Sequence, residues 1–196
     1  QVGAFASREN AATLAEELRA EGLPAAVVAC DPYRVVVAAF PSREAGTRFA
    51  GRLESSTPVY VGAWEVPGGT VSFEGDPAYG EFLGEVAAGI SGLISREAQA
   101  WQDYASGTGS GLEAQVASLE EEVRRLNSLA MKVAPPEGEV RRHAALTTLL
   151  SRATQSVYEM RALAKRDDAA HFAAGMTYFV QAVEAFQELA AGLGLR

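Results

Sequence analysis

The sequence predicts an α+β chain, in which a small β-α-β-β-α-β unit over residues 1–75 is followed by an all-α region over residues 76–196. Three observations lead to this prediction. The pattern V-x-A-F-x-S-R-E occurs at residues 2–9 and again at 37–44, each time at the exit of an apolar run. Two further apolar runs, each containing several valines, lie at residues 25–29 and 59–66. After Asp76 the apolar residues recur at helical spacing almost to the end of the chain.

Composition excludes several classes of protein. The net charge of −8 argues against a nucleic-acid binder, whose affinity comes mostly from neutralising phosphates, and weakly against docking on anionic lipid. Cys30 is the single cysteine, so no internal disulfide or thiolate zinc site is expected. The longest apolar run, residues 86–94, is too short to cross a bilayer. Because the chain begins at Gln1 within a strand pattern, we expect a fragment of a longer protein with any membrane anchor upstream.

The elements of the first unit follow from caps and turns. Residues 1–6 read as a strand, and Ser7 is a suitable N-cap for a helix that runs to Glu21 and ends at Gly22. Residues 25–29 and 33–40 read as two strands joined at Asp31-Pro32. Ser42 caps a second helix, and residues 59–66 read as a fourth strand. A fifth short strand is expected at residues 70–73.

This order is that of a ferredoxin-like fold, with two helices on one face of a four-stranded antiparallel sheet and the other face open. Alternation along the strands predicts that Val2, Ala4 and Val35 face the helices. The open face is then expected to carry five residues, which are Gln1, Arg34, Val36, Tyr60 and Trp64. An amide, a guanidinium and two aromatic rings suit a sugar polymer, because rings pack on the apolar faces of a pyranose while Gln and Arg meet its polar groups.

The same stretch resembles a known family. Gln1-Val2-Gly3-Ala4-Phe5-Ala6-Ser7-Arg8-Glu9-Asn10-Ala11, with Tyr33-Arg34-Val35 and Phe40-Pro41-Ser42-Arg43-Glu44-Ala45, is similar to a SPOR domain, the sporulation- and division-related repeat of bacterial cell-envelope proteins. The resemblance covers residues 1 to about 66. It departs from the common pattern at Val36, which is often polar, and at Ala38-Ala39, which replace a usual Gly-Pro.

The resemblance implies a peptidoglycan-binding function without catalysis. It implies recognition of glycan strands stripped of stem peptides on the open sheet face, with Gln1 and Arg34 as candidate binding positions. It also implies an extracytoplasmic location at a division or sporulation septum, with a membrane anchor only upstream of this fragment. An RNA-binding interpretation fails because the central strands present no outward aromatic residue.

Four helices are predicted in the second unit. Asp76-Pro77 begins the first, and a glycine-rich hinge at residues 107–111 ends it. The second has a heptad seam from Leu112 to Val133, the third runs to Lys165, and Asp167 or Asp168 caps the fourth. Four helices of similar length with short connections predict an antiparallel bundle. The seam also leaves open a homodimer or a protein partner through this region.

Catalysis, cofactors and metals are not expected. Asp167 and His171 have the i, i+4 spacing of a metal pair, but the pattern supplies no further ligands. His143 follows two arginines on a face predicted to be exposed. No nucleophile elbow or His-Glu-x-x-His motif is present. The alternative to glycan binding is a scaffold module in which the helices cover the sheet face. Burial of Tyr60, Arg34 and Trp64 would favour the scaffold module.

Overall fold

A computed structural model of the chain describes residues 1–53, 58–64, 73, 75–108 and 111–193. It confirms the α+β class and the helical second unit. The first unit contains β1 (Gly3–Phe5), α1 (Arg8–Ala20), β2 (Ala26–Val28), β3 (Tyr33–Val36) and α2 (Arg43–Ala50). The second contains α3 (Pro77–Ala105), α4 (Leu112–Lys132), α5 (Val140–Arg166) and α6 (Ala169–Gly192).

The helix starts of the two copies of the repeated pattern have the same local structure. The Ser7 hydroxyl accepts a hydrogen bond from the Asn10 amide at 3.3 Å, and the Ser42 hydroxyl accepts one from the Ala45 amide at 3.2 Å. Each serine thereby satisfies a backbone donor in the first turn of its helix. Helix α1 ends before Gly22, whose φ of +81° is disfavoured for residues with a side chain. The repeat therefore predicts both helix caps correctly, whereas the strand predicted over residues 33–40 ends at Val36.

The sheet has the order β1-β3-β2 and is antiparallel, with Gly3 opposite Val35 and Val27 also opposite Val35. The predicted fourth strand is not a regular strand in residues 58–64. Tyr60 and Gln1 nevertheless exchange two backbone hydrogen bonds of 2.7 Å, which place this segment beside β1. That is the position that a fourth strand of a ferredoxin-like sheet would have. Residues 65–66 of the predicted strand, and 70–72 of the predicted fifth, lie outside the described residues.

Helix α1 covers one face of the sheet, where both α1 and α2 were predicted. Val2, Val35 and Val37 are buried there against Ala11, Ala15 and Leu18 of the helix. No residue of α2 belongs to the apolar cluster on this face, and Phe49 of α2 contacts Phe172 of α6. The prediction for Ala4 is wrong, because this residue is exposed. Ala4 lies opposite Arg34 rather than Val35, so it points away from α1, and Phe5 packs against the core instead.

The four helices of the second unit form an antiparallel bundle. Neighbours in the chain pack against each other, and α3 also contacts α6, so the four helices close into a ring. The apolar seam of α4 is buried inside this bundle, at Leu112, Val116, Leu119, Val123, Leu126 and Ala130. The seam thus has its partners within the chain, and the expectation of a homodimer stays untested. In the described part of the chain, no helix combines the length and apolarity that crossing a membrane would require.

Helix α6 packs on the second face of the sheet, which is therefore not fully open. The Ala25 amide donates to Thr177 Oγ1 at 3.1 Å, and the Ala29 amide donates to Glu184 Oε1 at 2.5 Å. The two acceptors are seven residues apart on α6, a distance of about 10 Å along a helix. The two donors are four residues apart across β2, a distance of about 13 Å along a strand. Because these distances are similar, the two bonds hold α6 alongside β2. Ala26 and Val28 of β2 are consequently buried in the same apolar core as the bundle.

Candidate functional site

A cleft of about 760 Å³ separates the uncovered part of the sheet from α6 and the middle of α3. We call it the sheet–helix cleft. Its sheet wall includes all five residues that the sequence predicts for the site, Gln1, Arg34, Val36, Tyr60 and Trp64. Its helix wall includes Phe179, Val183, Glu184, Gln187, Glu188 and Ala191 of α6. The volume lies within the range of about 300–1,000 Å³ that is usual for small-ligand sites.

Gln1, Tyr60 and Arg34 form one end of the sheet wall. The reciprocal backbone bonds between Gln1 and Tyr60 fix these two residues side by side. Arg34 lines the same cleft as these two residues. Arg34 is exposed on the central strand β3, and the Tyr60 side chain is 60% exposed. An arginine and an aromatic ring are therefore both accessible at the mouth of the cleft.

Trp64 connects the two walls. Its indole N–H donates to the side-chain oxygen of Gln187 on α6. The ring is half-buried and packs against the apolar core shared with the bundle. Because the segment 58–64 is held at Gln1 by its backbone and at Gln187 by Trp64, it closes the side of the cleft opposite to β2.

Val36 contributes an apolar side chain to the sheet wall of the cleft, at its base. Along β3 the exposed Arg34 and the half-buried Val36 alternate with the buried Val35 and Val37, as expected for a strand with two different faces. Val36 packs against the bundle core together with Ala38 and Phe40. An apolar floor with a few polar groups at its rim is the usual composition of a ligand site.

The two walls carry opposite charges. Arg34 is on the sheet wall, and Glu184 and Glu188 are on the helix wall. Burial raises the pKa of Glu184, and the neighbouring Glu188 raises it further, whereas the hydrogen bond from the Ala29 amide lowers it. Glu184 thus accepts a hydrogen bond from the backbone beside β2. Glu188 is exposed, so its carboxylate is accessible on the helix wall.

Both histidines and Asp167, which lie outside the cleft, have structural partners. His171 Nδ1 lies 2.7 Å from Glu159 Oε2, and Asp167 accepts from the Tyr104 hydroxyl at 2.7 Å, so Asp167 and His171 do not face a common metal position. The prediction that His143 is exposed is wrong, because it is half-buried, stacks on Phe82 and lies 3.2 Å from the Tyr79 hydroxyl. Among the described residues, no group of three or more His, Cys, Asp or Glu side chains is suited to hold a metal ion.

Sequence reasoning missed the residues of α6 that line the cleft. Their spacing was visible, since Glu184, Gln187 and Glu188 recur at i, i+3 and i+4 within an otherwise apolar helix. Such a polar stripe is also typical of a solvent-exposed helix face, so the pattern alone did not connect these residues with the sheet. The connection depends on long-range contacts at Ala25, Ala29 and Trp64.

Comparison with known proteins supports the resemblance. Residues 1–66, about a third of the chain, match the model of the SPOR domain family. SPOR domains are peptidoglycan-binding, non-catalytic modules that occur in bacterial cell-envelope proteins. The helical region matches no family model. No curated protein and no solved structure matches the chain.

Proposed function

We propose that the SPOR domain of residues 1–66 binds stem-peptide-free glycan strands of peptidoglycan in the sheet–helix cleft. The chain then acts as a non-enzymatic targeting module that directs its parent protein to a division or sporulation septum in the cell envelope. The observation that carries this proposal is the convergence of Gln1, Arg34, Val36, Tyr60 and Trp64 on one cleft of about 760 Å³.

The accessible groups suit the chemistry of such a strand. The Tyr60 ring, 60% exposed, and the Trp64 ring offer apolar faces to the C–H faces of pyranose rings. The Gln1 amide offers a donor and an acceptor for N-acetyl and hydroxyl groups. Removal of a stem peptide leaves a carboxylate on the sugar, and a guanidinium binds a carboxylate with two parallel hydrogen bonds. We therefore assign recognition of the stripped strand to Arg34.

A sedimentation assay with purified sacculi tests this proposal. Sacculi are used intact and after amidase treatment, and the chain is compared with Arg34→Ala and Tyr60→Ala variants. Two matched controls lie outside the cleft, namely Arg48→Ala on α2, an exposed arginine paired with Glu44, and Tyr158→Ala on α5, a tyrosine 62% exposed. We expect preferential binding to stripped sacculi by the parent chain and by both controls.

The two cleft variants are expected to behave differently from each other. Loss of Tyr60 weakens binding to all sacculi, because stacking does not depend on the stem peptide. Loss of Arg34 removes the preference for stripped over intact sacculi. Absence of binding by the correctly folded parent chain, or equal weakening by the control variants, would contradict the proposal.

A scaffold function without glycan binding is the second candidate. The observation that favours it is the docking of α6 on the sheet, which buries Ala26 and Val28 and engages Trp64. A module of this kind would leave the helical region to bind a protein partner or a second copy of the chain. The same sedimentation assay separates the two candidates, because a scaffold module would not sediment with either preparation of sacculi.

A further inference from the structure

Helix α6 lies opposite the residues to which the proposed glycan site is assigned. Its cleft-facing residues, Phe179, Val183, Glu184, Gln187, Glu188 and Ala191, follow helical spacing and share one side of the helix. The helix is also fixed in place relative to the sheet, since Thr177 and Glu184 both accept hydrogen bonds from backbone amides that flank β2. These two hydrogen bonds thus attach the helix wall of the cleft to the sheet.

Gln187 of this wall makes a side-chain hydrogen bond to a predicted binding residue, Trp64. Its side-chain oxygen accepts from the indole N–H of Trp64. The segment that carries Trp64 is not part of a regular strand, and its neighbours Gly62 and Ala63 are exposed. The direction of the ring is therefore set by its packing on the bundle core and by its hydrogen bond to Gln187.

We infer that α6 forms the second wall of the glycan site and that Gln187 is a positioning residue, which orients the Trp64 indole for stacking on a sugar ring. This inference rests on the proposed function, and it assigns to the helical region a part in glycan binding. The SPOR domain and the bundle would then form one composite site. A ring whose orientation is fixed before the sugar binds loses less conformational freedom on binding, and the affinity for the sugar is therefore higher.

Two substitutions of Gln187 test the inference. Gln187→Leu removes the acceptor at similar side-chain size, whereas Gln187→Glu keeps an acceptor oxygen. Binding of soluble stem-peptide-free glycan fragments is measured by calorimetry. For Gln187→Leu we expect the Kd to rise about three- to tenfold, which corresponds to the usual worth of one hydrogen bond. Gln187→Glu also adds a negative charge beside Glu184 and Glu188, so for this variant we expect a smaller rise in Kd than for Gln187→Leu.

A spectroscopic readout separates positioning from a general effect on folding. In a Trp101→Phe background Trp64 is the remaining tryptophan, so its indole N–H gives one resonance in a ¹H–¹⁵N spectrum. Without glycan, this resonance should move in the Gln187→Leu variant and return towards the parent position in Gln187→Glu. Thermal unfolding of the same variants verifies that each is folded.

Three outcomes would overturn the inference. Unchanged glycan affinity in Gln187→Leu would show that α6 does not position Trp64 for binding, while leaving the proposed function intact. Tighter binding by Gln187→Leu would show that α6 competes with the glycan for Trp64. No binding by the parent chain would contradict the proposed function and this inference with it.

Discussion

Glu97 of α3 is a fully buried carboxyl in the core of the bundle. The hydroxyl of Ser156 lies within hydrogen-bond distance of both Glu97 Oε1 and the Gly175 carbonyl oxygen, the latter at 2.9 Å. One hydroxyl proton does not serve two acceptors at once. A protonated Glu97 resolves this, because it donates to Ser156, which in turn donates to Gly175. Burial raises the pKa of Glu97 to about 8, in agreement with a neutral side chain at pH 7.

This pKa predicts a fall in stability with rising pH. The ordinary pKa is 4.5 and the folded pKa is about 8, so the folded state holds a proton that the unfolded state releases between these values. The free energy of unfolding therefore decreases as pH rises from about 4.5 to about 8 and changes no further above that. Glu97→Gln keeps a donor for Ser156 and does not ionise, so it should remove this contribution, which is on the order of several kcal/mol.

Urea unfolding of the parent chain and of Glu97→Gln at pH 5 and pH 8.5 measures this contribution. We expect the two proteins to be similarly stable at pH 5 and the variant to be clearly more stable at pH 8.5. An equal change in both proteins between the two pH values would show that Glu97 is not the responsible group.

Gly175 of α6 permits the close approach of Trp101. A Cβ atom at this position would lie 2.6 Å from the indole ring, whereas a Cβ at Gly92 of α3 would meet no atom within 4 Å. Gly175→Ala is therefore expected to destabilise the chain by about 1–3 kcal/mol through overpacking. Gly92→Ala is its matched control and should stabilise the chain by about 0.5–1 kcal/mol, because alanine is the better helix former. Thermal unfolding of both variants measures the contrast, and a stable Gly175→Ala would contradict this packing.

At the scale of elements, the buried hydroxyl of Thr177 is one of the groups that dock α6 on β2. Thr177 Oγ1 accepts from the Ala25 amide and donates to the Ala173 carbonyl oxygen at 2.8 Å. Thr177→Val leaves the buried Ala25 amide without its partner, which costs about 1–3 kcal/mol. Thr177→Ser retains the hydroxyl and should recover most of this loss. Urea unfolding compares the three proteins, and equal stability of the Val and Ser variants would contradict the assigned role of the bond.

The elements show which part of the fold the sequence predicts. Local signals sufficed for both serine caps, for the stop at Gly22 and for the boundaries of the four long helices, because each depends on residues within one or two turns. The fourth strand was predicted from its apolar alternation, yet residues 58–64 make only one reciprocal backbone pair with Gln1. Strand pairing depends on distant partners, which a local pattern does not contain.

For the candidate site too, the sequence predicts the local features but not the contacts between distant segments. Alternation along β3 correctly placed Arg34 and Val36 on the face away from α1, since the period of two is a local property. It did not reveal that α6 would face them, because the contacts of Thr177, Glu184 and Gln187 with the first unit join residues more than 120 positions apart. The assignment of Ala4 failed for a related reason, namely that the register with β3 decides its direction.

At the scale of the whole molecule, the first unit and the bundle share one apolar core. Ala26 and Val28 lie in the same cluster as Phe179 and Val183, and Phe49 of α2 contacts Phe172 of α6 at 5.9 Å between ring centroids. The Arg52 guanidinium also donates to the Ala105 carbonyl oxygen at 2.5 Å. Units that are joined in this way are expected to unfold together.

The two tryptophans allow a direct measurement of this coupling. Trp64 reports on the first unit and Trp101, which is fully buried, on the bundle. Urea unfolding is followed by fluorescence in Trp64→Phe and Trp101→Phe variants, and by far-UV circular dichroism in each. We expect the fluorescence and dichroism midpoints to coincide within each variant. A fluorescence midpoint that clearly precedes the dichroism midpoint in Trp101→Phe would show that the first unit unfolds independently of the bundle.

Hydrogen–deuterium exchange with and without stem-peptide-free glycan fragments tests the composite glycan site most directly. Bound glycan should slow exchange in two places that are distant in sequence, the segment 58–64 with β3 on one wall and residues 183–191 of α6 on the other. Protection of both walls, weaker in the Arg34→Ala variant at the same glycan concentration, is the predicted result. Protection of the sheet wall alone would contradict the role of α6, and saturating glycan without protection of either wall would contradict the site itself.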